Sequence, residues 1–511
     1  MLGRPEDQGV LTPSMATRRT TALVLLAITA AGAAVRLWDV TDQSVWLDEA
    51  ASLLHARRPW AELLSSSVDP GNPPLYYLGL KAWCALFGTG ELALRLPAAL
   101  CGIAAIPLAF LVARELFDDE RIGLFAAALL AVLPAHVYYS QESRQYAPLV
   151  LSGLVTAWAY LVALRTDRRA AWIAMAVSGA LGFWLHYNGA LVAVVIAVHV
   201  LLFARRPRAF ACLAACAALC VPTFVLYLLP ALRRGSDGWQ GYFTLASVLD
   251  WASSLFGWIV MPDEPLWANV PAALSLAVAI LAPLVLAAVA SRSASPGLRR
   301  GLSFAALYFL LPFVLWAALC LARPLWHPRY QLVAAPGWVL LAAWALGTVS
   351  RKPRLALGAF IAFPCLLSLS TAHFRWLKAD WREAASVAQS VETASRGPGR
   401  VLVTMPFQEW PLAYYHRGAW PRTGFEAGHP ADCTQLRSLT AGEGTTVLIQ
   451  ANAADGDPSL AVAKALARAH GGGYLRSLVG IRVFAFGSGA AESGGLPVTE
   501  ADLTLPGNPC P

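Results

Sequence analysis

Residues 92–113 read LALRLPAALCGIAAIPLAFLVA, and residues 114–121 that follow read RELFDDER. The first stretch is apolar on every side of a helix and carries one charge, Arg95, near its start. It is long enough to cross a hydrocarbon layer of about 30 Å, and the charged stretch then stops the crossing. A helix on the surface of a soluble protein would show an apolar stripe with a polar back. The same unit recurs at 21–38, 122–139, 146–164, 171–186, 189–204, 209–230, 267–290, 302–322, 330–349 and 355–373, giving about eleven spans. Composition agrees. The 511 residues are 57% hydrophobic and 14% charged, against about 25% charged in soluble domains, and the mean hydropathy is +0.53.

The net charge of +8 does not point to nucleic acid, because the arginines sit at block ends and not in one patch interleaved with aromatics. They are topogenic. Arg18 and Arg19 precede the first block, which is read as an uncleaved anchor with a cytoplasmic N-terminus because so many spans follow. The connections 114–121, 165–169 (RTDRR), 205–208 (RRPR), 292–300 and 351–354 (RKPR) are basic and are placed in the cytoplasm. The alternate connections are sparser in Arg and Lys, which places 39–91 and everything after about 375 on the opposite face.

The expected architecture is an all-α polytopic membrane protein with a small C-terminal extracytoplasmic α/β domain. Its parts are a cytoplasmic tail (1–20), a transmembrane domain (21–374) with its first extracytoplasmic loop at 39–91, and the tail domain (375–511). In the tail, 380–392 and 459–470 read as helices and 400–405, 445–450 and 481–486 as strands. Residues 490–511, rich in Gly, Pro and Ser, are expected to fray. Of nine cysteines, Cys101, Cys212, Cys216, Cys220, Cys320 and Cys365 lie inside apolar blocks and read as small hydrophobes. Cys433 and Cys510 both fall in the tail, where a disulfide is allowed.

Polar residues at a bilayer face are costly and call for a reason. Five clusters fall on the extracytoplasmic side: WLDEA (46–50); DPGNPPLYY (69–77) with Lys81; ELALRLP (91–97); YSQESRQY (139–146); and RPLWHPRY (323–330). Asp48 and Glu49 are adjacent, so on a helix they point about 100° apart and do not form the opposed carboxylate pair that hydrolyses a glycoside. A sugar leaving from a lipid phosphate departs with a stable anion. It needs one carboxylate to take the acceptor's proton and cations to hold the phosphate. Asp48 and Glu49 are the candidate catalytic residues, and Arg95, Arg144, Arg329 and Lys81 the candidate phosphate ligands. Asp69, Asn72, Tyr76, Glu142, Tyr146, His186, His327 and Tyr330 are placed in the substrate pocket. The plainer readings are a helix N-cap for Asp48-Glu49, headgroup snorkelling for the arginines, and a hydrogen-bonded turn for His186.

WLDEA, NPPLYY (72–77), LRLPAAL (94–100), YYSQESRQYA (138–147) and HPRY (327–330) together resemble the polyprenyl-phosphate-dependent glycosyltransferases of the GT-C fold. Within these they are similar to glycosyltransferase family 39, which includes protein mannosyltransferases and aminoarabinose transferases. The resemblance covers about 40–375. It implies juxtamembrane helices in the first loop, Asp48 as base with Glu49 in support, and Arg95, Arg144 and Arg329 near the carrier phosphate. It also implies a polyprenyl-phosphate-linked sugar donor and an extracytoplasmic lipid, glycan or protein acceptor; the Ala- and Arg-rich composition points to a bacterial source, hence to the inner membrane as the site of action. Members often carry His before the Pro-Pro pair, where this chain has Asn72. Some bind a divalent metal in the loop, but Gly71-Asn72 offers no strong ligand and no metal is expected to be required. The rival is a transporter or lipid flippase, which calls for ionisable groups at mid-span and paired broken helices. Mid-span residues here are overwhelmingly Ala, Leu and Val.

Overall fold

The computed structural model describes residues 15–65, 71–234, 241–257, 266–374, 378–426, 433–441, 444–451, 457 and 459–503. The possible Cys433–Cys510 bridge and the candidate Asp69 lie outside what it describes. Every apolar block is helical. Among the described residues, nine helices are long and apolar enough to cross a membrane, and a bent pair makes a tenth. Arg169–Leu185 is apolar but shorter, at 17 residues.

The first helix, α1 (Met15–Leu37), leads into the loop helices α2 (Leu47–Arg57), α3 (Trp60–Leu63) and α4 (Leu75–Phe87). Next come α5 (Glu91–Phe117), α6 (Glu120–Val132), α7 (Pro134–Ser140) and α8 (Tyr146–Thr166). The α6–α7 pair is bent by 58°. Pro134 forces the bend: the preceding residue, Leu133, is held extended at ψ 113, which breaks the helical ladder. The carbonyls of Leu130 and Ala131, left without their usual partners, accept from the Arg36 guanidinium at 2.9 and 2.8 Å. Arg36 also bonds His136 Nδ1 at 2.7 Å and is fully buried. A charge inside a span is thus matched to backbone groups that the apolar surroundings leave unsatisfied. Helix α7 packs so closely on α5 that a Cβ on Gly102 would lie 2.1 Å from Ser140 Oγ. The bend carries the chain into the turn 141–145, which lines the site.

The tail holds a six-stranded sheet of order β2-β1-β3-β5-β4-β6. The strands are β1 (Gly399–Thr404), β2 (Arg422–Phe425), β3 (Thr445–Ala451), β4 (Gly473–Leu478), β5 (Ile481–Phe486) and β6 (Leu496–Val498). Pairs β1/β2 and β1/β3 are parallel and the rest antiparallel. Helix Trp381–Ala394 packs on one face and Ala461–His470 on the other. Strands β2, β4 and β6 were not expected. Residues 490–503 do not fray: Leu496–Val498 pairs with β4 through backbone bonds, which a Gly-rich composition does not reveal.

Candidate active site

Helix α2 begins at Leu47 with Trp46 as its cap residue. Asp48 and Glu49 therefore lie in its first turn and not at the N-cap, where their negative charge also suits the helix dipole. They face opposite partners. Glu49 is fully buried and takes a two-pronged bond from Arg95, Nε to Oε1 at 2.8 Å and Nη2 to Oε2 at 2.7 Å. The Ser143 backbone N–H donates to Oε1 at 3.0 Å, and Lys378 Nζ stands 3.4 Å from Oε2. Burial pushes this carboxyl up, but Arg95 and then Lys378 overcome it and hold it at about 2.

Asp48 is different. Its side chain is 21% exposed and pairs with Arg329, whose side chain is 12% exposed. Burial pushes the Asp48 carboxyl up, Arg144 and Arg329 pull it down, and the result lies below its ordinary value. Arg144 also reaches the Asp48 carbonyl at 3.4 Å and Ser52 Oγ at 3.3 Å. His327 caps the short helix Pro328–Ala334, accepting from the Arg329 backbone N–H at 3.2 Å and from Arg329 Nε at 3.1 Å. Burial and then Arg329 hold the His327 imidazole down at about 3, so it is a neutral acceptor that orients the guanidinium. His186 caps the matching turn Tyr187–Gly189, accepting from Asn188 N–H at 3.1 Å, and Asn188 ties that turn to the Tyr330 carbonyl at 2.8 Å. Tyr330 and Tyr146 pack against the His186 ring at 5.5 and 5.7 Å between centroids.

The remaining clusters converge on the same place. Asn72 Oδ1 accepts from Gln145 at 2.5 Å, and the Tyr76 hydroxyl bonds Ser143 Oγ at 3.3 Å. Glu142 is buried 3.4 Å from Lys378. Burial pushes its carboxyl up, Lys378 opposes this, and Glu49 and Asp48 add to the rise, leaving it above the ordinary value.

Two expected phosphate ligands are engaged elsewhere. All five N–H groups of Arg95 have partners: Glu49 takes two, and the carbonyls of Val40, Gln43 and Ser44 take the others at 2.7, 2.8 and 3.1 Å. Arg95 is a clamp on the loop, with no donor left for a phosphate. Lys81 donates to the carbonyls of Arg58 and Ala56 at 2.8 and 3.3 Å, capping the far end of α2, about 15 Å along the helix from Asp48. Two residues that sequence reasoning passed over belong here. Lys378 arrives from the tail and Arg36 holds the α6–α7 break; each is a cation at the end of an apolar block.

No group of three or more His, Cys, Asp or Glu among the described residues is arranged to hold a metal ion, and Asp48 and Glu49 pair with protein cations.

The helical bundle, juxtamembrane loop helices and tail sheet define an integral membrane protein of the GT-C fold. Residues 71–232 match the family model described as dolichyl-phosphate-mannose-protein mannosyltransferase. The fold is similar to that of ArnT from Cupriavidus metallidurans in the apo state, with a TM-score of 0.57 at 14% identity over 92% of this chain and 98% of ArnT. The same enzyme bound to undecaprenyl phosphate matches with a TM-score of 0.57 at 14% identity, over 93% and 98% of the two chains. The archaeal oligosaccharyltransferase AglB from Archaeoglobus fulgidus matches with a TM-score of 0.54 at 13% identity, over 93% of this chain and 75% of AglB. No curated protein matches by sequence.

Proposed function

We propose that this chain transfers a sugar from a polyprenyl-phosphate donor to a lipid, glycan or protein acceptor, with inversion. One observation carries the reading: a partly exposed carboxylate, Asp48, stands beside two arginines at the end of a membrane-embedded bundle. The acceptor's oxygen or nitrogen attacks the anomeric carbon from the face opposite the phosphate. The bond from that carbon to the phosphate oxygen breaks, its electron pair leaves with the phosphate, and the acceptor's proton passes to Asp48. Arg144 and Arg329 hold the departing anion. Before the donor arrives, Arg329 is occupied by Asp48. A phosphate that takes over those N–H groups removes a cation from the carboxylate, whose pKa climbs, so the base strengthens as the donor binds. Glu49, with Arg95, positions α2, while Tyr76, Asn72, His186, His327, Tyr146 and Tyr330 shape the pocket.

The fold supports the donor class: ArnT is known with undecaprenyl phosphate and AglB with a dolichol phosphate. The charge alternation of the connections supports a site on the extracytoplasmic face, and the Ala- and Arg-rich composition a bacterial inner membrane, with residues 21–374 as the membrane domain and 375–511 as the tail domain. The transporter reading gains nothing from the geometry, since Asp48, Glu49, Arg95, Glu142 and Arg144 form one network. Membranes carrying the wild type or Asp48→Asn are incubated with a panel of radiolabelled polyprenyl-phosphate sugars. Consumption of one donor by the wild type, reduced on the order of 10³-fold in the variant, is expected. Equal consumption by both removes Asp48 from the mechanism.

A further inference from the structure

Lys378 lies just beyond the last span, in a part of the chain that the motif match does not reach. Its ammonium is buried, 3.4 Å from Glu49 on α2 and 3.4 Å from Glu142 in the turn after α7. The rings of Trp46 and Tyr138 flank it at 5.8 and 5.7 Å. Glu49 is next to Asp48, and Glu142 is two residues from Arg144. One tail cation therefore bridges the helix that carries the base and the turn that carries a phosphate ligand.

The charges explain why the bridge is needed. Without Lys378, two buried carboxylates would face each other with Arg95 and Arg329 to balance them; Arg95 is wholly engaged with Glu49 and the loop carbonyls, and Arg329 is paired with Asp48. An uncompensated buried charge relaxes by taking up a proton or by moving apart from its neighbour. Either response shifts α2 relative to the turn 141–145. The rest of the tail holds the lysine in place. Arg382 bonds Glu91 at 2.6 Å and the Thr41 carbonyl at 2.8 Å. The Tyr415 hydroxyl donates to Glu91 at 2.5 Å and accepts from the Val45 N–H at 2.6 Å.

We propose that Lys378 is a positioning residue of the transferase site and that the tail domain acts on catalysis through it, so that Asp48 and Arg144 reach their working arrangement only with the tail docked. This rests on the transferase reading above. The test uses the full chain in detergent or lipid, with Lys378→Met, Lys378→Arg and the double variant Lys378→Met/Glu142→Gln. In Lys378→Met, kcat should fall on the order of 100-fold with little change in donor KM. Lys378→Arg should recover most of the loss, and the double variant part of it, because removing the stranded carboxylate relieves the repulsion. Hydrogen exchange gives a readout independent of activity: Lys378→Met should speed exchange in both 47–57 and 141–145, and Lys378→Arg in neither. Wild-type kcat in Lys378→Met, no recovery in the double variant, or unchanged exchange in either segment overturns the proposal. Wild-type protein that consumes no donor overturns the transferase reading instead, and exchange then decides the bridge by itself.

Discussion

Asp48 and Arg329 stand 281 positions apart in the chain and close an ion pair at the edge of the bundle. The pair joins the first loop to the short helix that opens the next-to-last span, and Arg144 together with Arg329 holds the Asp48 carboxyl below its ordinary pKa. The kcat/KM for the donor, which reports the carboxylate before the donor displaces Arg329, should therefore persist on the acid side, with its limb below the ordinary value of 3.8. In Arg329→Met one cation is lost and the limb should move to higher pH. The rate at neutral pH should fall on the order of 10²-fold as the leaving phosphate loses a donor. A pH–rate profile of both proteins checks this, and an unmoved acid limb would separate Arg329 from Asp48.

The Arg95–Glu49 pair should behave as a structural unit. Arg95→Met leaves a fully buried carboxylate short of its main partner and should cost about 3–5 kcal/mol; Arg95→Met/Glu49→Gln should regain part of it. The same pair sets an acid sensitivity. The folded Glu49 carboxyl lies at about 2 against an ordinary 4.5, so the unfolded chain takes up its proton first as pH falls. The stability from this group is fully present above about 4.5 and drains away down to about 2. Thermal unfolding in detergent across that window should show the loss in the wild type and a flatter profile in Glu49→Gln.

Arg36→Leu makes α1 more apolar and should nonetheless destabilise the protein. It strands the Leu130 and Ala131 carbonyls at the α6–α7 break, at a cost of about 1.5–3 kcal/mol for each charged hydrogen bond lost. A thermal midpoint equal to or above that of the wild type would show that the break needs no such cation.

Lys81→Met separates the two roles considered for Lys81. A helix-capping lysine should leave the donor KM within about twofold while lowering stability by roughly 0.5–1 kcal/mol. A tenfold rise in KM would return it to the phosphate.

The spans were legible because each is a run of apolar residues bounded by charge, a one-dimensional property. The convergence of Asp48, Asn72, Tyr76, Glu142 and Arg144 was legible because their clusters lie in alternate connections between the apolar blocks, which bring them to one end of the bundle. Their partners were not. Whether Arg95 meets a phosphate or Glu49 depends on the chain folding back over the 46 positions that separate them, and Lys81 looked equally cationic at either end of α2. Lys378 escaped notice because its neighbours Leu377 and Ala379 give no motif and its carboxylate partners lie 329 and 236 positions away, the latter being 378 minus 142. Strands β2 and β6 are short, and pairing with their neighbours, not their own composition, makes them strands.

The contact between Glu49 and Lys378 also has a consequence for how the protein is made. A ribosome delivers Asp48 and Glu49 near the beginning of its work and Lys378 only after the last apolar helix. During that interval the early carboxylates have no ammonium to meet. A chain released before its final helix would carry the acidic residues and Arg95 but leave Glu142 without its cation, so truncated products are expected to be inert in the membrane and not half-active.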